Sequence, residues 1–183
     1  MRCSLISSFF IALSLPVCAA EWHDTEGSEF FFTTTFEGVA TPGEFKEFDV
    51  DFDFDPVDPG AGKLCVRVDL SGADLGDPEM NAVLFDPVWF DLEQFAQAMF
   101  ISDEIKLLSP GQFLAVGELD LKGTVRTVAV PFSWVVSGHE ATMRGEFVLQ
   151  RSDFDVGSGE WASDDAIGID VSLSFTVRLV HYD

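Results

Sequence analysis

The sequence predicts an all-β fold in which eight antiparallel strands curl into a barrel. Segments that alternate apolar and polar residues recur along most of the 183-residue chain, and the clearest runs from Ile169 to Leu179. A period of two gives a strand one dry face and one wet face, so the dry face of a curled sheet must enclose something. Gly117 and Gly145 lie inside two of these segments, where they suit the bends that barrel closure requires.

The strands are predicted from this alternation and from the turn-forming residues between them. In the second strand Phe48 and Phe52 share a face that opposes three aspartates, and in the fifth Phe113 and Leu119 share a face. Pro131 lies inside the sixth strand, where it removes a backbone donor and predicts a bulge or a barrel rim. The predicted strands span residues 28–36, 44–54, 63–70, 97–108, 112–121, 124–136, 140–150 and 167–180.

The segment 71–96 breaks the alternation and is rich in glycine and proline. Asp91, followed by Gln94 three residues later, predicts the start of a short helix with Asp91 as its N-cap. We therefore predict a rim or lid with short helices. Its aromatic residues, which could either seal the barrel end or line an entrance, are Phe85, Trp89, Phe90 and Phe95.

The first 20 residues have the three-part layout of a secretory signal. Arg2 precedes the apolar run from Leu5 to Leu15, which is too short to span a bilayer. Cleavage after Ala20 would leave residues 21–183 as one domain of ordinary size. The alternative that Cys18 is the acylated cysteine of a lipoprotein signal stays open.

Composition narrows the classes of partner. The chain carries 32 acidic and 10 basic residues, a formal net charge of −22 at pH 7, so nucleic acid and anionic lipid surfaces would repel it. An anionic ligand head group would need a local basic site, whereas a neutral one would not. After cleavage Cys65 is the one remaining cysteine, so stability must come from packing rather than from an intramolecular disulfide.

A closed eight-stranded sheet can be filled by side chains or can hold one elongated ligand, and periodicity does not decide between the two. The chain has 19 Phe and one Tyr, so its dry face is aromatic and poor in hydroxyl groups. Such a lining suits a long apolar chain, and a solid core of phenylalanine is the alternative. By strand parity the candidate ligand-binding residues are Phe30, Phe32, Phe52, Trp89, Phe90, Phe95, Phe113, Phe132, Trp134, Phe147 and Phe175.

Catalytic and metal-binding patterns are weak. His23, His139 and His181 are far apart in the sequence, without metal-ligand spacing or a nucleophile motif beside them. The acidic runs at 49–55 and 153–160 lack the glycine and glutamate positions of a calcium loop. We therefore predict no catalytic residue, no metal site and no cofactor.

Several short motifs occur in a characteristic order. They are Trp22 and Asp24, Phe54-Asp55-Pro56, Val66-Arg67-Val68-Asp69-Leu70, Trp89-Phe90-Asp91, the segment from Phe113 to Leu119, the segment from Gly123 to Val128, and Leu149-Gln150-Arg151-Ser152-Asp153-Phe154. In this order they resemble the YceI-like family of periplasmic, lipocalin-shaped proteins. The resemblance covers nearly the whole of residues 21–183.

The resemblance implies a lipocalin-like eight-stranded barrel with a helical rim, often dimeric, around a long apolar tunnel. Such a tunnel would hold a polyisoprenoid, an isoprenoid quinone or a fatty amide. It also implies a periplasmic location, a membrane cytochrome b-type protein as a partner, and no enzymatic activity. The stretch 80–84 departs from the family, because members often carry an Arg-Asp pair ahead of Trp-Phe-Asp. The missing arginine favours a neutral head group such as a quinone.

The sequence thus predicts a periplasmic carrier of a long isoprenoid-type lipid. The alternative is a ligandless structural or stress-protective exported barrel, and a small barrel enzyme is a third hypothesis. A filled interior would favour the ligandless barrel, and polar groups deep in the barrel would favour the enzyme.

Overall fold

The computed structural model describes residues 22–181, so the predicted secretory signal lies outside the described residues. Eleven strands and one short α-helix occur in this part of the chain. The helix α1 spans Pro78–Leu84, and short 3-10 turns span Pro59–Ala61, Leu70–Gly72, Arg151–Phe154 and Gly159–Trp161. The strands are β1 (Trp22–Asp24), β2 (Glu29–Phe36), β3 (Val39–Phe45), β4 (Phe48–Asp53), β5 (Lys63–Asp69), β6 (Ala73–Asp74), β7 (Gln97–Ser109), β8 (Gln112–Leu121), β9 (Thr124–Ser137), β10 (Glu140–Gln150) and β11 (Asp170–His181).

Eight of these strands close into an antiparallel barrel, as the sequence predicts. The ring runs from β1 through β4, β5, β7, β8, β9, β10 and β11 and back to β1. β1 pairs with residues 179–181 of β11, and β2 pairs with residues 172–176 of the same strand. β2 then continues the sheet through β3 to β6, beside the rim.

All eight predicted strands are present, and β1, β3 and β6 are additions that the sequence did not predict. β3 contains Pro42 and Gly43, which are typical of turns, so it lacks the alternation of the other strands. The ring of Phe32 on β2 lies over Gly43, where a side chain would overlap it. Glycine at this position therefore lets β3 pair closely with β2.

The two mid-strand glycines, at which bends are predicted, lie where backbones approach closely. Gly117 faces a bulge in β7 between Ile101 and Glu104, and a Cβ at Gly117 would overlap the carbonyl of Ile101. A Cβ at Gly145 would overlap the carbonyl of Pro131. Both glycines therefore allow backbone to approach backbone.

The pairing between β9 and β10 is incomplete. Residues 133–137 of β9 pair with residues 140–144 of β10, and the described ladder stops there. Residues 124–132 still pair with β8, and residues 145–150 still pair with β11. Pro131, which has no N–H to donate, lies beside the point where the ladder stops. We call the interval between 124–132 and 145–150 the seam.

The rim is helical at a different place from the predicted one. α1 begins after Asp77, whose side chain accepts hydrogen bonds from the backbone N–H groups of Glu79 (2.8 Å) and Met80 (3.1 Å). The prediction of a helix at Asp91 is wrong, because Asp91 has a φ of 54° and lies in a turn. Gln94 does return to it, since its Nε2 donates to Asp91 Oδ2 at 2.7 Å. The polar pair thus stabilises a turn rather than a helix.

A buried arginine fixes the loop between β10 and β11. Arg151 is 5% exposed, and its guanidinium lies 5.7 Å from the centre of the Trp89 ring. Burial lowers the pKa of Arg151 from its usual value. The side chain donates to the carbonyl groups of Val156, Gly157, Trp161, Ser163, Ile167 and Gly168 at 2.7–3.0 Å. These bonds hold the loop 151–169 together, and the contact with the Trp89 ring connects it to the rim.

Among the described residues, no helix has the length and apolar character that crossing a bilayer requires.

Candidate functional site

An apolar cavity of about 140 Å³ occupies the half of the barrel next to the rim. Leu70 and Phe90 border it from the rim, and the remaining lining comes from the strands. All 21 lining residues within 22–181 are Phe, Leu, Val, Ala or Met. The phenylalanines among them are Phe30, Phe45, Phe48, Phe90, Phe100, Phe147 and Phe175.

Strand alternation explains why these residues meet. On β10 and β11 the odd-numbered residues face inward, so Phe147 and Phe175 lie on the inner face with ring centres 6.5 Å apart. Phe30 on β2 meets Phe175 at 6.4 Å. The Phe175 ring extends over Gly145, where a side chain would collide with it. Glycine at 145 therefore gives Phe175 its place in the wall.

The lining has no titratable side chain and no nucleophile. In the described part of the chain no group of three or more His, Cys, Asp or Glu side chains could hold a metal ion. A lining of this composition can bind an apolar molecule by burial, and it offers no group for proton transfer or nucleophilic attack.

Aromatic rings fill the opposite half of the barrel. Neighbouring ring centres lie between 4.5 Å, for Phe52 and Phe54, and 5.9 Å, for Phe54 and Phe132. Trp22 Nε1 donates to the Phe54 carbonyl at 3.2 Å, and the Trp22 ring meets the Trp134 ring edge-on at 5.3 Å. We call this set the aromatic plug; its members within 22–181 are Trp22, Phe52, Phe54, Phe113, Phe132 and Trp134. None of them is more than 8% exposed, so this end of the barrel is closed.

The structure separates the eleven candidate residues into three groups. Those that border the cavity are Phe30, Phe90, Phe147 and Phe175. Those that belong to the plug are Phe52, Phe113, Phe132 and Trp134. Those that lie elsewhere are Phe32, Trp89 and Phe95. The residues of the last two groups do not border the cavity, and contact of any of the eleven with a ligand stays a prediction.

The first two groups lie at different depths along the barrel. Strand parity predicts which face a side chain occupies, but it does not predict this depth. Phe132 faces inward as its parity predicts, but it lies at the closed end. Members of the third group pack against other parts of the structure: Phe32 against Phe45 at 4.8 Å, and Trp89 against Trp161 at 6.1 Å. Phe95 lies over Gly123 at the tip of the β8–β9 hairpin.

Sequence reasoning missed other lining residues. Phe48 and Phe100 lie on predicted strands, so alternation could have found them. Phe45 could not be found this way, because the chain leaves β3 at Phe45 and enters β4 at Phe48, which breaks the alternation between them. The aliphatic members, such as Val128 and Leu149, lie on the inner faces of predicted strands, but the aromatic composition of the chain points to aromatic residues alone.

One basic side chain lies beside the rim end of the cavity. Arg126 on β9 pairs in register with Leu119 of β8, and it shares a strand face with Val128; both neighbours line the cavity. The Arg126 side chain is exposed, and its Nη1 donates to the Val125 carbonyl at 3.2 Å. It can therefore reach a polar group at the rim without being buried.

The predicted acidic face lies outside the barrel. Asp51, between the inward residues Val50 and Phe52, accepts hydrogen bonds from Arg67 Nη2 at 2.6 Å and from His23 Nδ1 at 3.0 Å. Partial burial raises the pKa of Asp51, but the hydrogen bonds from Arg67 and His23 outweigh it and leave the pKa below its usual value. This cluster stabilises the outer wall and does not reach the cavity.

A family model and several known proteins are similar to this chain in sequence. The model of a family described as "YceI-like domain" matches residues 23–179. A UPF0312 protein of Ectopseudomonas mendocina is 26% identical over 120 residues, 62% of this chain and 63% of that protein. A UPF0312 protein of Serratia proteamaculans is 31% identical over 98 residues, 54% of this chain and 50% of that protein. The chain thus spans between half and just under two thirds of these relatives.

Two solved structures have the same fold. BcnA of Burkholderia cenocepacia has a TM-score of 0.80 at 30% identity, over 82% of this chain and 95% of BcnA. A protein of Saccharophagus degradans, described as a polyisoprenoid binding domain implicated in plant cell wall breakdown, has a TM-score of 0.72 at 14% identity. That match covers 90% of this chain and 100% of the other, and at this identity it shows the fold alone.

Proposed function

This chain belongs to the YceI-like domain family, and from that premise we propose that it binds an isoprenoid-type lipid in the apolar cavity of its barrel. The ligand is a polyprenyl chain or an isoprenoid quinone, and the protein acts as its carrier through burial and release. The observation that carries this proposal is the cavity of about 140 Å³ with an entirely apolar lining. The fold shared with a domain described as polyisoprenoid-binding supports it.

The free energy of binding depends on whether the lipid comes from water or from a membrane. Moving a methylene from water into an apolar interior gains about 0.8 kcal/mol. Moving it from a bilayer gains almost nothing, because the lipid tails are already apolar. Loading from a membrane must therefore depend on shape, on contacts with the head group or on a protein donor.

The head group is neutral in this proposal. The net charge of −22 disfavours an anionic group, and the stretch 80–84 has no arginine. Arg126 at the rim end can donate a hydrogen bond to a carbonyl or hydroxyl oxygen, such as that of a quinone or a prenyl alcohol. Its charge does not have to be buried for this contact.

Export to the periplasm is part of the proposal. It is supported by the signal-like layout of the first 20 residues and by the family resemblance. A homodimer and a membrane cytochrome b-type partner are further predictions from the resemblance. No catalytic role is proposed, because the lining offers no reactive group.

The proposal is tested by mass spectrometry of organic extracts from protein purified without detergent. We expect a prenyl lipid near stoichiometry in the unmodified protein and its loss in Phe175→Asp, which introduces a charge into the lining. The matched control is Ser172→Asp, which places the same charge at an exposed position of β11. Folded protein that contains no lipid and takes up no added quinone would contradict the proposal.

A ligandless structural barrel is the second candidate function. It is favoured by the aromatic plug and by the small cavity, since small-molecule sites usually have volumes of about 300–1,000 Å³. The two functions differ in the same extract, because a ligandless barrel would yield no lipid and would not respond to Phe175→Asp.

A further inference from the structure

We infer that the aromatic plug sets the length of the prenyl chain that the barrel accepts. The bound group is a segment of few isoprene units, inserted from the rim, and any further units lie outside it. This inference rests on the proposed lipid-binding function and adds the chain length and the residues that determine it. It predicts a short pocket in place of a tunnel along the whole barrel.

The limit lies between consecutive inward residues. On β4, Val50 lines the cavity and Phe52, the next inward residue, does not. On β9, Val130 lines the cavity and Phe132 does not. The rings of Phe52 and Phe132 lie 5.7 Å apart, so together they form the floor of the cavity.

The floor is firmly packed. Phe52 is fully buried, and its ring stacks on Phe54 at 4.5 Å and meets Trp134 at 5.4 Å. Phe132 is 2% exposed and stacks on Phe113 at 5.5 Å. Moving either ring aside would displace several others in an interior packed at crystal-like density. A ligand chain that reaches the floor therefore stops there.

The wall around the cavity is looser. Nine lining residues in the described chain are half-buried, whereas every member of the plug is buried. The seam adjoins the cavity, because Val128 and Val130 line it from β9 and Phe147 and Leu149 from β10. The cavity can therefore widen sideways, but it does not deepen toward the plug.

The volume sets the scale of the bound segment. An apolar protein cavity of about 150 Å³ accommodates a benzene-sized molecule, which has one carbon more than an isoprene unit. The cavity of about 140 Å³ thus holds about one unit before it widens. We expect the limit to lie between geraniol and geranylgeraniol.

The experiment is a competition among prenyl alcohols, from geraniol through farnesol and geranylgeraniol to a polyprenol. Native mass spectrometry identifies which alcohol the protein retains. We expect affinity to rise at least about tenfold per unit up to the limit and then to level off. In Phe132→Ala the floor is lowered, so the point of levelling moves to a longer alcohol. Phe132→Leu shifts it in the same direction and preserves more of the packing if the alanine variant does not fold.

Phe54→Leu is the matched control, because Phe54 is as buried as Phe132 but lies behind the floor. It should leave the limit where it is in the unmodified protein. Affinity that keeps rising to the polyprenol, or a limit that Phe132→Ala and Phe132→Leu leave unmoved, would overturn the inference while lipid binding stands. Failure of the unmodified protein to retain any of the alcohols would overturn the proposed function and the inference together.

Discussion

The two halves of the barrel have the same alternation of apolar and polar residues but different interiors. On β9 the inward residues of the rim half are Val128 and Val130, and those of the closed half are Phe132 and Trp134. The first pair borders a cavity, and the second belongs to a packed plug. Alternation therefore identifies the face that a residue occupies, while side-chain volume at each depth decides whether the interior is open.

The strand pairing of the barrel wall also differs between the two halves. The described β9–β10 ladder covers 133–137 and 140–144, beside Trp134 of the plug, and it does not include Val128 and Val130, which line the cavity. A filled interior with continuous pairing gives a rigid half, and an open interior with a seam gives a deformable half. We expect binding to use the deformable half.

The largest effect should come from truncating the plug. Phe52→Ala removes a fully buried ring, and we expect a loss of about 3–5 kcal/mol in the free energy of unfolding. Phe147→Ala should cost no more than about 2 kcal/mol, because its ring already borders empty space. Urea denaturation of both variants measures the difference. Equal losses would mean that the two halves are packed alike.

A somewhat smaller effect should follow the loss of Arg151. Arg151→Met keeps most of the volume but leaves several carbonyl groups of the loop 151–169 without their donor, so we expect a loss of about 3 kcal/mol. Arg126→Met, at an exposed position, should change the stability by less than about 0.5 kcal/mol. If thermal unfolding shows no difference between the variants, the loop 151–169 does not depend on this arginine.

Much of the fold behind this comparison could be predicted from the sequence. Alternation predicted seven of the eight strands of the barrel ring, together with β2, which pairs with β11. The mid-strand glycines lie where backbones approach closely. The helix was placed at Asp91 in place of Asp77, because a capping pair such as Asp91 and Gln94 also stabilises a turn. The cavity was predicted only in part, because strand parity carries no information on depth, and packing against distant rings decided the position of Phe132.

The seam predicts a local difference in amide exchange. Within 124–132 and 145–150, the amides directed toward the seam lie outside the described β9–β10 ladder, so we expect about half of each segment to exchange fast. Amides of 133–137 and 140–144 should be protected to nearly the global stability. Hydrogen–deuterium exchange followed by NMR resolves the two groups. Uniform protection along β9 and β10 would show that the wall is continuous.

The smallest expected effect is a change in how stability depends on pH in the acidic range. The folded-state pKa of Asp51 lies below its usual value, so its stabilising contribution is present above about pH 4 and is lost as the pH falls through the folded pKa. Arg67→Met removes one of the two donors and should reduce this loss below pH 4. Urea midpoints at several pH values compare the variant with the unmodified protein, and parallel profiles would assign the acid sensitivity to other groups.

The most direct test of the division between the halves is an isotope-filtered NOE spectrum of the protein with bound farnesol. Val128 and Leu149 line the cavity, while Ala141 and Leu179 are buried in the closed half outside it. We expect NOEs from the prenyl chain to the methyl groups of Val128 and Leu149 and none to those of Ala141 and Leu179. NOEs to Ala141 or Leu179 would place the chain among the plug residues and contradict the account.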